Sequence, residues 1–249
     1  MNLMHATLQA LWQETRDSDS VRQRLHQVLR QSIIRMVLAP GQALSEKELA
    51  DTFSVSRQPV REAFIRLSEA GLVKVRPQRG TFVVKISQQA VLEARFVREA
   101  VEVAVAREAA TQGLAQQVLA ELRELIDHQR LCIEPADHDR FFLLDEAFHR
   151  TLSLGVGQQT AWKVIEEVKA QLDRVRYLSI PASTPIDKLI EQHAAIVDAI
   201  EQHDVDAAAD AMRIHQNEIL QSLPDLVDRF PDMFQETTAT SRAIHTALG

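Results

Sequence analysis

Residues 45–84 read SEKELADTFSVSRQPVREAFIRLSEAGLVKVRPQRGTFVV, and this stretch decides the fold of the first third of the chain. Ser45 and Glu48 stand at capping-box spacing, which starts a helix. Leu49 and Phe53, four apart, share one face of it, and the polar break Ser54-Val55-Ser56 ends it. Ser56 is placed to cap a second helix whose first turn holds Pro59, where no intrahelical N–H is needed. Val60, Phe64 and Leu67 fall on the inward face of that helix and leave Arg57, Gln58 and Arg61 pointing outward. After Gly71, the alternating Val73 and Val75, the turn Pro77-Gln78-Arg79-Gly80 and the alternating Phe82 and Val84 predict a two-stranded wing.

Two short helices, a tight turn and a basic hairpin form a groove-reading device. The second helix of such a pair enters the major groove by its N-terminal end, where backbone N–H groups favour phosphate and side chains meet base edges. Arginine bonds guanine in a bidentate manner and glutamine does the same for adenine, so Arg57, Gln58 and Arg61 supply both chemistries. At the wing tip Arg79 can enter a minor groove, and Gly80 allows close approach to the sugar-phosphate. Three surface arginines alone would read as a solvated helix face. The agreement of helix pair, wing and tip favours DNA.

Charge divides the chain in the same place. Residues 1–86 carry 13 Lys/Arg against 8 Asp/Glu, whereas residues 87–249 carry 15 against 27. The acidic total therefore does not argue against nucleic acid, because the basic charge is concentrated where the motif lies. No apolar run approaches the roughly 20 residues that span a bilayer, and the N-terminus lacks a signal-peptide core. The single cysteine, Cys132, permits no intramolecular disulfide, which fits a reducing cytoplasm, and it reads as an ordinary helix residue. The expected organisation is a loosely ordered arm over 1–20, a winged helix-turn-helix over 21–86, an all-α antiparallel bundle over 87–236 and a tail over 237–249. Bundle helices are expected near 88–111, 115–132, 136–154, 158–179, 186–202, 205–222 and 225–235, punctuated by prolines 135, 181, 185, 224 and 231.

Inside the bundle four residues form a constellation. Asp145 and His149, in FFLLDEAFHRTL, project from one helix face about a turn apart. His193 and His215 lie 11 residues on either side of position 204, so an antiparallel hairpin returns them to one height. Three imidazoles and a carboxylate suit Zn²⁺, and also Ni²⁺, Mn²⁺ or Fe²⁺. The plain alternative is a set of polar core residues, and His128, His138, His203 and His245 read as ordinary surface or core-rim histidines.

Residues 21–84, with the run LAPGQALSEKELADTFSVSRQPVREAFIRLSEAGLVKVRPQRGTFV, resemble the winged helix-turn-helix of GntR-family transcription regulators. The resemblance implies DNA contacts at Arg35, Arg57, Gln58, Arg61, Arg79, Gly80 and Thr81. Where many members carry a glycine-basic pair after Arg35 or one position later, this chain has Met36-Val37-Leu38. Residues 90–222 resemble the FCD effector domain of the FadR branch, with DEAFH, EQHAAIVDAI and AMRIHQNEI matching its metal-bearing helices. That implies a divalent metal held by Asp145, His149, His193 and His215, with open positions for an effector carboxylate. Another departure is Gln158, where many members carry Asn.

Arg98 and Glu102, in FVREAVEVAVAREAA, match the Arg-x₃-Glu of the family's opening helix. Arg98 would then receive the effector carboxylate; an intrahelical Arg98–Glu102 ion pair is the alternative. Arg174 and Arg176, in LDRVRYLSI, are further effector candidates. The resemblance is nearest to branch members whose neighbours handle sugar acids. The resulting expectation is a cytoplasmic, ligand-responsive repressor, a homodimer on a short inverted-repeat operator, without catalytic residues. The rival is a metal-dependent enzyme or a dedicated metal sensor. Glu102 and Glu146 are the available carboxylates for catalysis, but no nucleophile-base pair or phosphate loop accompanies them.

Overall fold

The computed structural model describes residues 3–15, 20–134 and 136–236. Among these, one unit takes the residues up to Val91, Ala170–Arg174 and those from Arg229 onward, and a second takes Leu92–Lys169 and Val175–Asp228. The architecture is mainly α.

The first unit is built on helices α1 (Leu3–Glu14), α2 (Val21–Ile34), α3 (Glu46–Phe53) and α4 (Arg57–Glu69), with strands β1 (Ala43–Leu44), β2 (Val73–Arg76) and β3 (Gly80–Val83). Ser20 caps α2 by accepting from Gln23 N at 3.2 Å, and Ser45 caps α3 by accepting from Glu48 N at 3.3 Å. Ser56 holds the N-cap position of α4 without a side-chain bond, so the expected cap is only positional. The strands pair antiparallel in the order β1-β3-β2, giving three strands where two were expected. The two-residue β1 carries no alternation signal of its own; its Ala43 and Leu44 face Phe82 and Thr81 of β3. Val73 is buried but Val75 is exposed, because the hairpin projects past the core that alternation presumes.

Residues 3–14 correct the expected arm. They form α1, and its Leu8, Leu11 and Trp12 join one core with Leu25, Leu29, Phe53 and Phe64. Each such side chain contributes roughly 1.5–3 kcal/mol on leaving water. The Trp12 ring lies 5.0 Å from Phe53, and the Arg24 guanidinium sits 3.6 Å over it. At the other end Ile86 N donates to Met233 O at 2.8 Å, tying residues after the wing to a 3-10 turn at Pro231–Met233.

The second unit is assembled from α5 (Gln88–Gln112), α6 (Gln116–Arg130), α7 (His138–Gly155), α8 (Gln159–Val168), α9 (Ala170–Ala182), α10 (Ile186–Glu201) and α11 (Val205–Arg229), the ends of α5, α9 and α11 falling in the first. Gly155 allows α6 and α7 to approach: a Cβ there would meet Val118 Cγ1 at 2.6 Å. The helix expected over 158–179 is two, broken at Lys169, and Gln158 makes no side-chain cap. Instead of a separate helix over 225–235, α11 runs through Pro224 to Arg229. Pro224 is exposed, so water can take the carbonyl that its missing N–H leaves unbonded. Pro181 likewise lies inside the last turn of α9 rather than beyond it. Residues 237–249, and with them His245, lie outside the described residues, as does Pro135.

Candidate metal centre and nucleic-acid interface

The recognition helix α4 presents Arg57, Gln58 and Arg61 to solvent, and the wing tip presents Arg79 and Gly80. Arg61 is bridged by Glu46, with Nε to Oε1 at 3.2 Å and Nη2 to Oε2 at 2.9 Å, and Gln58 Nε2 donates to Glu62 at 3.0 Å. Both side chains are thus held by carboxylates of this chain. The hydrogen bonds and charge of Arg61 draw the Glu46 carboxyl below its ordinary range. Gly80 takes φ +96 directly after the turn closed by Arg79 N to Arg76 O at 3.0 Å, a backbone that favours glycine. Thr81 departs from the reading carried over from the family. It is 7% exposed, because alternation along β3 turns its side chain inward. Arg35 ends α2 half-buried, and Met36 beside it adopts φ +58, the conformation a glycine there would take freely.

The second unit brings Asp145, His149, His193 and His215 together from α7, α10 and α11, with ligand atoms all within 4.8 Å of one another. All four are buried. His149 Nε2 lies 3.1 Å from His215 Nε2, and His193 Nε2 lies 3.6 Å from Asp145 Oδ1. Two ligands on a tetrahedral zinc stand about 3.3 Å apart, so these separations fit the ion. His193 Nε2 has no hydrogen-bond partner among the described residues, an orphaned lone pair in a dry site. The Phe148 ring stacks on His193 at 4.2 Å. Burial holds all three imidazoles below their ordinary range, so they are neutral and able to ligate.

Four candidates for effector contact separate in the structure. Arg98 and Glu102 pair within α5 at 2.5 Å, and Glu102 Oε2 also lies 2.5 Å from His149 Nδ1 and accepts from Gln216 Nε2 at 2.8 Å. Burial alone would raise the Glu102 carboxyl, but the Arg98 guanidinium, with the His149 ring beside it, holds it at about 2. Arg176 pairs with Asp145 itself. Arg174 corrects the expectation, since it belongs to the first unit and donates from Nη1 to Val84 O at 2.8 Å. Residues two apart on a helix point about 200° from each other, so 174 and 176 cannot serve one pocket. Glu146 is engaged by Lys169 Nζ at 2.6 Å. Two further residues, Gln129 and Gln192, bond His193 Nδ1 at 2.8 Å and His215 Nδ1 at 3.0 Å. Gln129 carried a signal that sequence reasoning passed over: it continues the apolar stripe Leu122, Ile126 with a polar side chain.

A winged helix with exposed basic residues, followed in the chain by an all-helical domain, defines a winged-helix transcription regulator. Residues 21–83 match the "Bacterial regulatory proteins, gntR family" and residues 93–218 match the FCD domain. The chain belongs to the GntR family, as a regulator carrying an FCD domain. It is 43% identical over 216 residues to the HTH-type transcriptional repressor RspR of Escherichia coli (strain K12), across 87% of this chain and 94% of that protein. It is 25% identical over 194 residues to the gluconate operon transcriptional repressor of Bacillus licheniformis, across 76% of this chain and 78% of that one. Among solved structures, E. coli McbR/YncC shares the fold with a TM-score of 0.72 at 21% identity, covering 86% of this chain and 100% of that one. These relatives are regulators rather than enzymes. No helix among the described residues is long and apolar enough to cross a membrane.

Proposed function

We propose that the chain is a repressor whose operator affinity responds to a small carboxylate effector, a sugar acid being the first choice, bound beside a divalent metal, with zinc the first choice. The observation that carries this reading is the buried His₃Asp set with ligand atoms within 4.8 Å of one another. Four protein donors leave room for an added oxygen ligand once the ion takes five or six donors rather than four, and a bound divalent ion would supply Lewis acidity toward that oxygen. Arg98 and Arg176 are the guanidiniums beside the set, each now held by a carboxylate of this chain, and each able to receive an incoming carboxylate. The names of the E. coli and Bacillus relatives support repression, and the gluconate repressor supports a sugar acid. DNA is read through Arg57, Gln58, Arg61, Arg79 and Gly80, with Arg35 secondary.

The protein acts as a homodimer on an inverted repeat. Support comes from two exposed apolar side chains on the second unit: Phe96 on α5 is 67% exposed and Ile214 on α11 is 61% exposed. The two helices are tied side by side by Arg95 Nη1 to Asn217 at 2.7 Å and Arg107 to Asp206 at 3.1 Å. A two-fold partner would cover that face and supply the second winged helix that a symmetric operator requires. The test is elemental analysis of the purified protein, with titration of DNA from its own upstream region in the presence of Zn²⁺ and gluconate. The double variant His149→Ala, His193→Ala is expected to lose metal and ligand response while keeping basal DNA affinity. A double variant that still binds metal, or responds as the wild type does, overturns the reading.

A further inference from the structure

We infer that Glu102, Gln129 and Gln192, none of which is placed to touch an ion, fix His149, His193 and His215 as their Nδ1–H tautomers and so aim three Nε2 lone pairs at one point. This deepens the metal reading and rests on it for its consequence, though not for the tautomers themselves. Every Nδ1 of the set has a side-chain oxygen close by: Gln129 Oε1 is hydrogen-bonded to His193 at 2.8 Å and Gln192 Oε1 to His215 at 3.0 Å, while Glu102 Oε2 lies 2.5 Å from His149 as an ion-pair contact outside hydrogen-bond alignment. An ionised carboxylate only accepts. A glutamine amide can present oxygen or NH₂, and its second contact decides which. Gln129 Nε2 reaches the Leu144 carbonyl at 3.2 Å, and a carbonyl only accepts, so its oxygen is the end left for His193. Gln192 Nε2 reaches Glu218 Oε2 at 3.1 Å, and Glu218 also takes Lys188 Nζ at 2.7 Å, so the Gln192 oxygen is the end left for His215.

His193 and His215 are therefore required to donate from Nδ1, and the carboxylate oxygen beside His149 Nδ1 favours the same tautomer there. A neutral imidazole has one N–H, which leaves all three Nε2 atoms as acceptors. The 3.1 Å contact between His149 and His215 Nε2 then holds no proton, and His193 Nε2 has no donor. Lone pairs facing one another in a dry site are costly, and a cation resolves them. The anionic acceptor on His149 makes that ring the strongest donor of the three, and the amides hold the other two in line.

The full chain, labelled with ¹⁵N-histidine and stripped of metal by chelation, gives the tautomers directly from long-range N–H correlation spectra at neutral pH. Zn²⁺ alone is the probe of affinity. His149, His193 and His215, assigned by single His→Gln variants, are each expected as Nδ1–H rings in the wild type, beside His203, whose Nδ1 meets the Ala110 carbonyl at 2.9 Å. Gln129→Leu should release His193 from that tautomer and weaken Zn²⁺ binding about 10- to 100-fold. Gln129→Glu restores an acceptor and should recover the tautomer and most of the affinity. Gln192→Leu, at a less buried position, is the parallel arm for His215 should Gln129→Leu not fold. An Nε2–H ring at His149, His193 or His215 in the wild type, or leucine variants that keep both tautomer and affinity, overturns the inference. A wild type with three Nδ1–H rings that binds no Zn²⁺ leaves the tautomer assignment standing and refutes the metal reading instead.

Discussion

Asp145→Asn is the perturbation that separates the charge of the site from its shape. Asparagine keeps the volume and one acceptor oxygen but removes the negative charge facing Arg176. The two side chains are 1% and 12% exposed, so the variant leaves a guanidinium in a nearly dry site without its partner carboxylate. Removing one member of a buried pair costs about 3–5 kcal/mol. Glu102 also acts on Arg176 through its charge, which places the expected loss at the lower end, about 3 kcal/mol. For a chain of this size that is a melting temperature lowered by about 6–12 °C in the metal-free protein. The assay is thermal unfolding followed by circular dichroism with chelator present, then with Zn²⁺ in excess. Zn²⁺ should raise the wild-type midpoint and leave the variant nearly unmoved, since binding stabilises by about 2.7 kcal/mol at a hundredfold excess over Kd. Adding Arg176→Met to Asp145→Asn removes the stranded charge and should restore most of the metal-free stability. Equal melting of Asp145→Asn and wild type without metal would refute the argument that this buried pair contributes to stability.

Arg57→Ala should cost about 1–3 kcal/mol of operator binding and relax specificity at one operator position, which footprinting on the upstream region reads. Trp12→Ala should destabilise the winged unit by about 3–5 kcal/mol in urea titration, since α1 packs through that ring; an unchanged midpoint would show α1 to be dispensable. Stability should also fall as pH drops below about 6.5. Burial, with Arg66 and Arg30 nearby, lowers His26 to about 4, and burial lowers His149, His193 and His215, so the unfolded chain binds protons that the native chain refuses. Urea midpoints flat between pH 7 and pH 5 in the metal-free protein would contradict this, and Zn²⁺ occupancy should decline over the same window.

The helix pair and the hairpin were readable from residues 45–84 because capping, apolar spacing and turn chemistry are local, and each acts within a few residues of its cause. The pairing of Asp145 with His149 was local in the same sense, one turn of one helix, and the height of His193 against His215 followed from counting outward from their shared junction. Four outcomes became visible only with the surroundings that the folded chain supplies. α1 is a helix because Leu8, Leu11 and Trp12 find Phe53 and Leu25, partners 10 or more residues away that no local window contains. Pro224 stays inside α11 because its unbonded side faces water. Arg174 and Arg176, both basic in one short run, go to different surroundings because the helix sends them to opposite sides. Glu102 and Gln129 reach the histidines across 47 and 64 positions of sequence, and Gln192 reaches His215 across 23. A side chain's residue type states what it can donate or accept, but which lone pair it meets is set by packing, and packing belongs to the whole chain.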